Sequence, residues 1–464
     1  MAAKANIEDI YPLTPMQEGM LFYSLNRDTA GAYFEQVSYR LHGELDIEPV
    51  KKSLKALMQR HDILRTVFIH EKVKRPVQVV MKERKIDFTY EDVGSVKTKA
   101  EREARVKEIK EQDRQRPFVL SKDVLIRVTV VKLARDEYEF TWSHPHIIMD
   151  GWCMGIIIGE YLEIYRSFLE NRPPDLAPVK PFKSYIQWLG KRDIRESLAY
   201  WTSYLEDYNA PAFIPRLETR TSGGGGFDRQ RVTILLTTEQ TSALNNLVGK
   251  NSVTINTLVQ TAWGLVLGKY KGERDVIFGA VVSGRPAEIK GVERMIGLFL
   301  NTVPMRIRVR ERENFIELMR RVQQEILASE PYHYCSLASI QAVSPMKRDL
   351  FDHIFVSQNF PISEKIAGAA AQGRSQLFQV SGVETFEYTS YDFVVHVSYD
   401  RQLSLRLDYN GRVYEKEIIE GIARSLEQML TQDLGKIEIK ELCRLDGEKK
   451  RRMLEEFNED LEDE

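Results

Sequence analysis

The chain of 464 residues is long enough for two domains or one large two-lobed unit, and 43% hydrophobic with 29% charged residues is ordinary globular composition. Its 66 basic and 68 acidic residues leave a formal net charge of -2, which argues against a nucleic-acid binder with its net basic face. Cys153, Cys335 and Cys443 lie far apart without a CxxC spacing, so no disulfide framework or zinc ribbon is expected. No apolar leader follows Met1, and the longest uncharged run, Asn251–Gly268, carries Asn, Thr, Gln and Ser; no secretory signal or membrane span is expected, and the location is read as cytoplasmic.

In chain order, Lys99–Arg116 is heavily charged and predicts an exposed helix. Val124–Lys132 is a β-branched run of strand length. Arg172–Pro181 holds four prolines in ten residues, a poor helix and a poor strand, and is read as the joint between an N-terminal and a C-terminal half. Thr221-Ser-Gly-Gly-Gly-Gly-Phe227 lacks the Lys-Ser/Thr of a phosphate loop and reads as a flexible connection. Ile255, Leu258, Val259, Ala262, Trp263 and Val266 recur at helical spacing and predict a buried helix face. Val276–Val282 and the alternating Leu403–Tyr409 predict strands. Glu448–Glu464 is nearly all charge and reads as a solvated helix running into a linker. Strands mixed with helices of this length indicate an α/β layered fold. The expected division is residues 1–175, 176–447 and 448–464.

One segment carries chemistry: Phe140-Thr-Trp-Ser-His144-Pro145-His146-Ile-Ile-Met-Asp150-Gly151-Trp152. An aromatic-rich strand runs into histidines, then Asp-Gly, then the apolar helix-like run Met154–Leu162. Asp150 stands where an N-cap belongs, and Gly151 permits a tight turn. A histidine in an apolar strand is usually a hydrogen-bonded core residue. Two of the chain's eight within three positions, beside Asp-Gly, make a catalytic reading its equal. His144 and His146 could share a face as metal ligands, but few further donors follow, and no metal is expected.

The segment resembles the HHxxxDG core of condensation domains of nonribosomal peptide synthetases, in the chloramphenicol-acetyltransferase-like superfamily. Further stretches are similar to that family's motifs: Tyr11–Phe22, Arg60-His61-Asp-Ile-Leu-Arg65-Thr66-Val-Phe68, Tyr185-Ile-Gln-Trp188, and Ile296-Gly297-Leu-Phe-Leu-Asn301-Thr302 followed by Arg306. A weaker match is His333-Tyr334 with Ser336-Leu337. The resemblance implies two chloramphenicol-acetyltransferase-like lobes arranged as a V with a tunnel at their seam. Upstream donor and downstream acceptor peptidyl carrier domains dock at its mouths and extend phosphopantetheine arms. The domain itself binds no cofactor. An adenylation domain is expected beyond the C-terminal linker, and the domain is expected to be a monomer.

By the same resemblance His146 is the histidine on which catalysis depends. Asp150 is expected to be structural, pairing with Arg285 from the other lobe; Gly151 either offers its N–H to an oxyanion or only makes the turn. Arg60, His61 and Arg65 are expected to support structure, at the negative pole of a helix. Asn301, Thr302 and Trp152 are candidates for the tunnel lining, with satisfied burial the plainer reading of Asn301 and Thr302. Trp188 is read as core and Cys153 as a small packed hydrophobe. Pro145 occupies the place of the first motif histidine, and proline removes a backbone N–H and fixes φ. Two functions follow: peptide-bond formation, of the subtype taking a D-configured donor and an L-configured acceptor, or an impaired or non-catalytic docking domain.

Overall fold

The computed structural model describes residues 6–25, 33–217, 227–358, 378–387, 389–399 and 401–434. The Gly-rich connection at 221–226 and the charged segment 448–464 lie outside these. The chain divides into two compact units, one of Met1–Asp193, Ser283–Leu300 and Phe360–Ser390, the other of Ile194–Val282, Asn301–Asn359 and Tyr391–Glu464. The expected division after residue 175 therefore falls inside the first unit. The proline-rich joint adopts neither helix nor strand, yet it is pinned down: Arg60 donates to the Ala177 carbonyl, Asp175 N–H to Glu163 at 2.9 Å, and Lys180 Nζ to the Lys290 carbonyl at 3.0 Å.

Along the first unit run β1 (Ile7–Pro12), α1 (Pro15–Leu25), β2 (Phe34–His42), α2 (Ile47–Arg60), β3 (Thr66–Ile69), β4 (Val77–Met81), β5 (Asp87–Asp92), α3 (Lys99–Arg114), β6 (Arg127–Ala134), β7 (Glu137–Pro145) and α4 (Gly151–Leu169). A small sheet has the order β1-β4-β3. α2 starts on Asp46, whose carboxylate accepts from Glu48 N–H. It buries Val50, Leu54 and Leu57 completely, each worth about 1.5–3 kcal/mol.

The main sheet of this unit has the order β12-β2-β7-β6-β5, where β12 is Gln379–Glu387, contributed from almost the far end of the chain. β2 and β7 are buried on both faces, and the faces differ in kind. Val37, Tyr39, Leu41, Phe140 and Trp142 join the core with Met154, Ile157 and Tyr161 of α4, around an apolar cavity of about 50 Å³. The opposite face presents Gln36, Ser38, Arg40, Glu139 and Ser143 to α3. Hence α3 is not the freely exposed helix its composition suggests. Lys110 is buried, with Nζ 3.0 Å from Glu139 and 2.7 Å from Glu384 of β12, and Gln36 donates to Asp113 at 2.9 Å. A polar sheet face selects a charged helix.

In the second unit β8 (Arg229–Leu235), β9 (Asp275–Val282), β10 (Asn301–Arg308), β11 (Ile354–Gln358), β13 (Phe393–Tyr399) and β14 (Leu403–Asn410) form one sheet of order β10-β9-β11-β13-β14-β8. The helix predicted around residues 255–266 spans Ile255–Lys271 and is buried from Thr257 to Gly268, not on one face alone. Thr254 caps its start and Gly272, at φ 72°, ends it. Val395, Val397, Leu405 and Leu407 turn the sheet's apolar face into the same core.

Candidate active site

β7 ends at Pro145, paired in register with Phe34, while His144 faces Glu35 across the ladder. Pro145 has φ -82° and ψ 139°, within the extended region, so a ring that fixes φ is accommodated there. Proline offers no N–H, and the link to β2 resumes one residue later: His146 N–H donates to the Tyr33 carbonyl at 2.7 Å. Residues His146–Ile148 then form a single 3-10 turn, closed by Met149 N–H to the His146 carbonyl at 3.1 Å. From α1, Gln17 donates to the Ile147 carbonyl at 3.1 Å and steadies this turn.

His144 and His146 both lean on one carboxylate. His146 Nε2 lies 3.1 Å from Glu35 Oε1, and His144 Nε2 lies 2.8 Å from Oε2. All three residues are buried. Burial pushes the Glu35 carboxyl up, but the two imidazoles outweigh it and hold it below the usual carboxylate range. Burial likewise pulls the His146 ring down, and the negative charges of Glu35, Glu387 and Asp150 more than reverse this, so the ring keeps its proton to a higher pH than a free imidazole. His146 Nδ1 and both ring nitrogens of His144 are buried without a hydrogen-bond partner among the described residues, so the contacts with Glu35 are charge contacts. Glu35, His146 and Glu387 bring their polar atoms within 4.8 Å of one another, and Glu35 lies within ion-pair distance of both rings.

Asp150 is fully buried at the N-cap position of α4 but does not cap the helix. Its Oδ2 accepts from Phe299 N–H at 3.1 Å and its Oδ1 from Arg285 Nη2 at 3.2 Å. Arg285 also donates to the carbonyls of Val292 and Met295 and lies 4.0 Å over the Phe299 ring. Arg285 was expected from the other lobe; it belongs to the segment Ser283–Leu300, which packs in the same unit as Asp150. Gly284 makes that segment possible: its φ is 55°, and a Cβ there would stand 1.9 Å from the Phe299 carbonyl oxygen.

Gly151 is not among the glycines with positive φ, so the turn does not require glycine for its backbone angle. It opens α4, where the first N–H groups have no intrahelical acceptor. Trp152 is partly exposed and donates Nε1–H to the Glu293 carbonyl at 2.9 Å. The Cys153 thiol is buried beside Asp150 and accepts from Gly297 N–H at 3.4 Å; burial and Asp150 push its pKa up, the opposite of an activated nucleophile.

The remaining residues fall elsewhere. Arg60 and His61, at the end of α2, meet Glu160 of α4 at 2.8 and 2.6 Å. Arg65 is buried with Nη1 2.7 Å from Glu8 and Nη2 3.1 Å from Asp62. Asn301 and Thr302, in the second unit, are buried; Asn301 donates to the carbonyls of His333 and Cys335 at 2.7 and 2.6 Å. Trp188 is half-buried against the first unit's core, its ring 5.8 Å from that of Tyr185. Glu35 is the residue sequence reasoning missed. Its signal was a lone acid on a strand face otherwise occupied by Val37, Tyr39 and Leu41.

A mixed α/β chain with a buried histidine at a strand end, followed by a locked Asp-Gly turn into a helix, is what the resemblance to acyltransferases of the chloramphenicol-acetyltransferase-like kind implies. The family model for the condensation domain matches residues 7–442. The chain is 38% identical over 426 residues to gramicidin S synthase 2 of Brevibacillus brevis, covering 92% of this chain and 10% of that protein. To bacitracin synthase 3 of Bacillus licheniformis it is 37% identical over 459 residues, covering 98% and 7%. Among solved structures, the condensation domain of the monacolin K polyketide synthase MokA superposes with TM-score 0.76 at 16% identity, covering 94% of this chain and 100% of that one. The X-domain from teicoplanin biosynthesis does so with TM-score 0.76 at 20% identity, covering 94% and 97%. The chain belongs to the condensation-domain family, the peptide-bond-forming acyltransferases of nonribosomal peptide synthetases, and has their two-lobed chloramphenicol-acetyltransferase-like fold. It spans no more than 10% of the length of either curated relative named. No described helix is long and apolar enough to cross a membrane.

Proposed function

We propose that this domain joins a donor aminoacyl or peptidyl thioester to the amine of an acceptor aminoacyl thioester, each presented on the phosphopantetheine arm of a carrier domain. A neighbouring adenylation domain activates the incoming residue, in the cytoplasm, with the domain acting as a monomer. The acceptor nitrogen adds to the donor carbonyl, the C–N bond forms and the C–S bond breaks. The departing sulfur takes up the proton that the nitrogen sheds. The observation that carries this reading is His146, held buried at the end of β7 and followed by the Asp150-Gly151 turn.

An α-amine with pKa about 7.7–8.0 is on the order of 10–20% neutral at pH 7, so a strong base is not a precondition for attack. Holding two tethered reactants in line can contribute roughly 7–11 kcal/mol, more than the 10²–10⁴-fold typical of a general base. His146 then either accepts the ammonium proton of the tetrahedral intermediate or hydrogen-bonds it, and the neighbouring carboxylates that raise the ring's affinity for a proton support both parts. The opening motif Tyr11–Phe22 supports the D-donor, L-acceptor subtype.

Pro145 supports the second reading, a domain of low activity that serves as a docking platform. One experiment separates them. Donor and acceptor carriers are loaded with chosen aminoacyl groups, D and L at the donor, mixed with the domain, and dipeptidyl-carrier is detected by mass. Product that falls by about 10²–10⁴-fold in His146→Ala supports the enzyme. Undiminished product in that variant removes His146 from the mechanism. No product with any pair, restored by Pro145→His, supports the impaired site.

A further inference from the structure

We propose that Glu35, His146 and Glu387 form a binding site for a divalent transition metal of the zinc class, with the ion held on Nε2 of His146. Three observations lead to it. First, Glu387 on β12 and Glu35 on β2 stand directly opposite each other across the antiparallel ladder. Like charges placed so repel, and a cation between them relieves the repulsion. Second, one ligand atom from each of the three residues lies within 4.8 Å of the others, and His146 Nε2 is 3.1 Å from Glu35 Oε1. Neighbouring ligands of a tetrahedral ion with bonds of about 2.0–2.2 Å stand about 3.3 Å apart, so this pair already has the spacing. Glu387, the least buried of the three, has only its side chain to swing in. Third, Nδ1 of His146 is buried, which leaves Nε2 as the ring nitrogen for an ion, and its contact with Glu35 is one of charge.

The ligand set selects the ion. One imidazole nitrogen and two carboxylates suit zinc and its neighbours, and the two acids balance a divalent charge. Calcium takes about six to eight oxygens and magnesium keeps several waters, so neither matches three residues that include a nitrogen. Zinc accepts three protein ligands and leaves a fourth position for water. Sequence spacing pointed to His144 as the partner of His146, but both ring nitrogens of His144 are buried. The third ligand comes instead from β12, far along the chain.

The ion acts here as an inhibitor. A metal on Nε2 denies that nitrogen both to a proton and to the reacting groups, so peptide-bond formation stops while the ion is bound. This consequence rests on the role just assigned to His146; the binding itself does not. The site is also built for reversible occupancy. A metal-bound histidine normally donates its other ring N–H to an oxygen, and Nδ1 of His146 has no such partner among the described residues. The affinity is therefore expected to fall below that of a structural zinc site, within reach of a chelator.

The test uses the whole, untagged domain, stripped with a chelator and titrated first with Co²⁺ and then with Zn²⁺. Cobalt is the visible probe, because the filled d shell of zinc is silent. One Co²⁺ per chain is expected, with the visible bands of a four-coordinate ion, displaced by Zn²⁺. Glu387→Gln and His146→Ala are each expected to weaken binding by at least about 10–100-fold, the loss that even an outer partner brings. Saturating Zn²⁺ is expected to raise the melting temperature of the wild type and not that of Glu387→Gln. With loaded carriers it is expected to suppress dipeptidyl-carrier formation until a chelator is added. No stoichiometric binding overturns the inference, as does Co²⁺ binding equally tight in Glu387→Gln. That variant keeps the shape of the side chain and the pairing of β12, so it decides even where His146→Ala misfolds. If Zn²⁺ binds through these residues and turnover continues, the reaction role of His146 fails instead and the metal site stands.

Discussion

Asp150 shows how much one buried carboxylate can organise. It satisfies a backbone N–H of Phe299, an arginine already committed to two carbonyls and a ring, and the thiol of Cys153. Such a charge is tolerated only with its partner in place; taking one member away strands the other. Asp150→Asn is expected to lower the unfolding free energy by about 3–5 kcal/mol, read by urea denaturation with an unchanged m-value. A loss under about 1 kcal/mol would mean that Arg285 finds equal satisfaction in its carbonyl partners. His146, Asp150 and Gly151 were legible because they sit close together in the chain, where two histidines and an Asp-Gly stand out. Glu35 lies more than a hundred residues away and joins them only through the β2–β7 register. Nothing local marks it beyond its acidity on an apolar face.

At the scale of elements, β12 is the part the sequence could not place. Its alternation is weak, its residues Val380, Gly382, Val383 and Glu384 pair with Leu41, Arg40, Tyr39 and Ser38, and that pairing spans more than three hundred positions. The strands Val276–Val282 and Leu403–Tyr409 were readable within one residue of their observed ends because β-branched runs and alternation are local signals. Val124–Lys132 starts three residues early and stops two short of the observed strand: Val124–Ile126 precede β6 outside the strand, with Leu125 and Ile126 in the core. The charge of α3 was read correctly as helix and wrongly as full exposure, since Lys110 turns inward to Glu139 and Glu384. The two contacts differ in depth, Glu139 being buried and Glu384 largely exposed. Lys110→Ala is therefore expected to destabilise by about 1–3 kcal/mol, mostly through Glu139, and Glu384→Gln by less than about 1 kcal/mol. Equal losses in denaturant melts would contradict that ranking.

For the whole molecule, the unit boundaries cut across the order of the chain. The first unit needs Ser283–Leu300 for Arg285 and Phe360–Ser390 for β12. A fragment of residues 1–193 would leave β2 as an open edge and Asp150 without its arginine. It is expected to aggregate or remain protease-sensitive, whereas the full chain resists limited proteolysis at the same concentration. A soluble, cooperatively melting fragment would show that the later segments are accessories.

That interleaving also bears on how the protein emerges from the ribosome. Roughly 200 residues separate Asp193 from the end of the last segment the first unit requires. At about 5–20 residues per second, synthesis keeps the nascent first sheet waiting for about 10–40 s. Throughout that interval β2 offers its unclaimed side to any passing strand, so the cell meets this domain first as a client for chaperones.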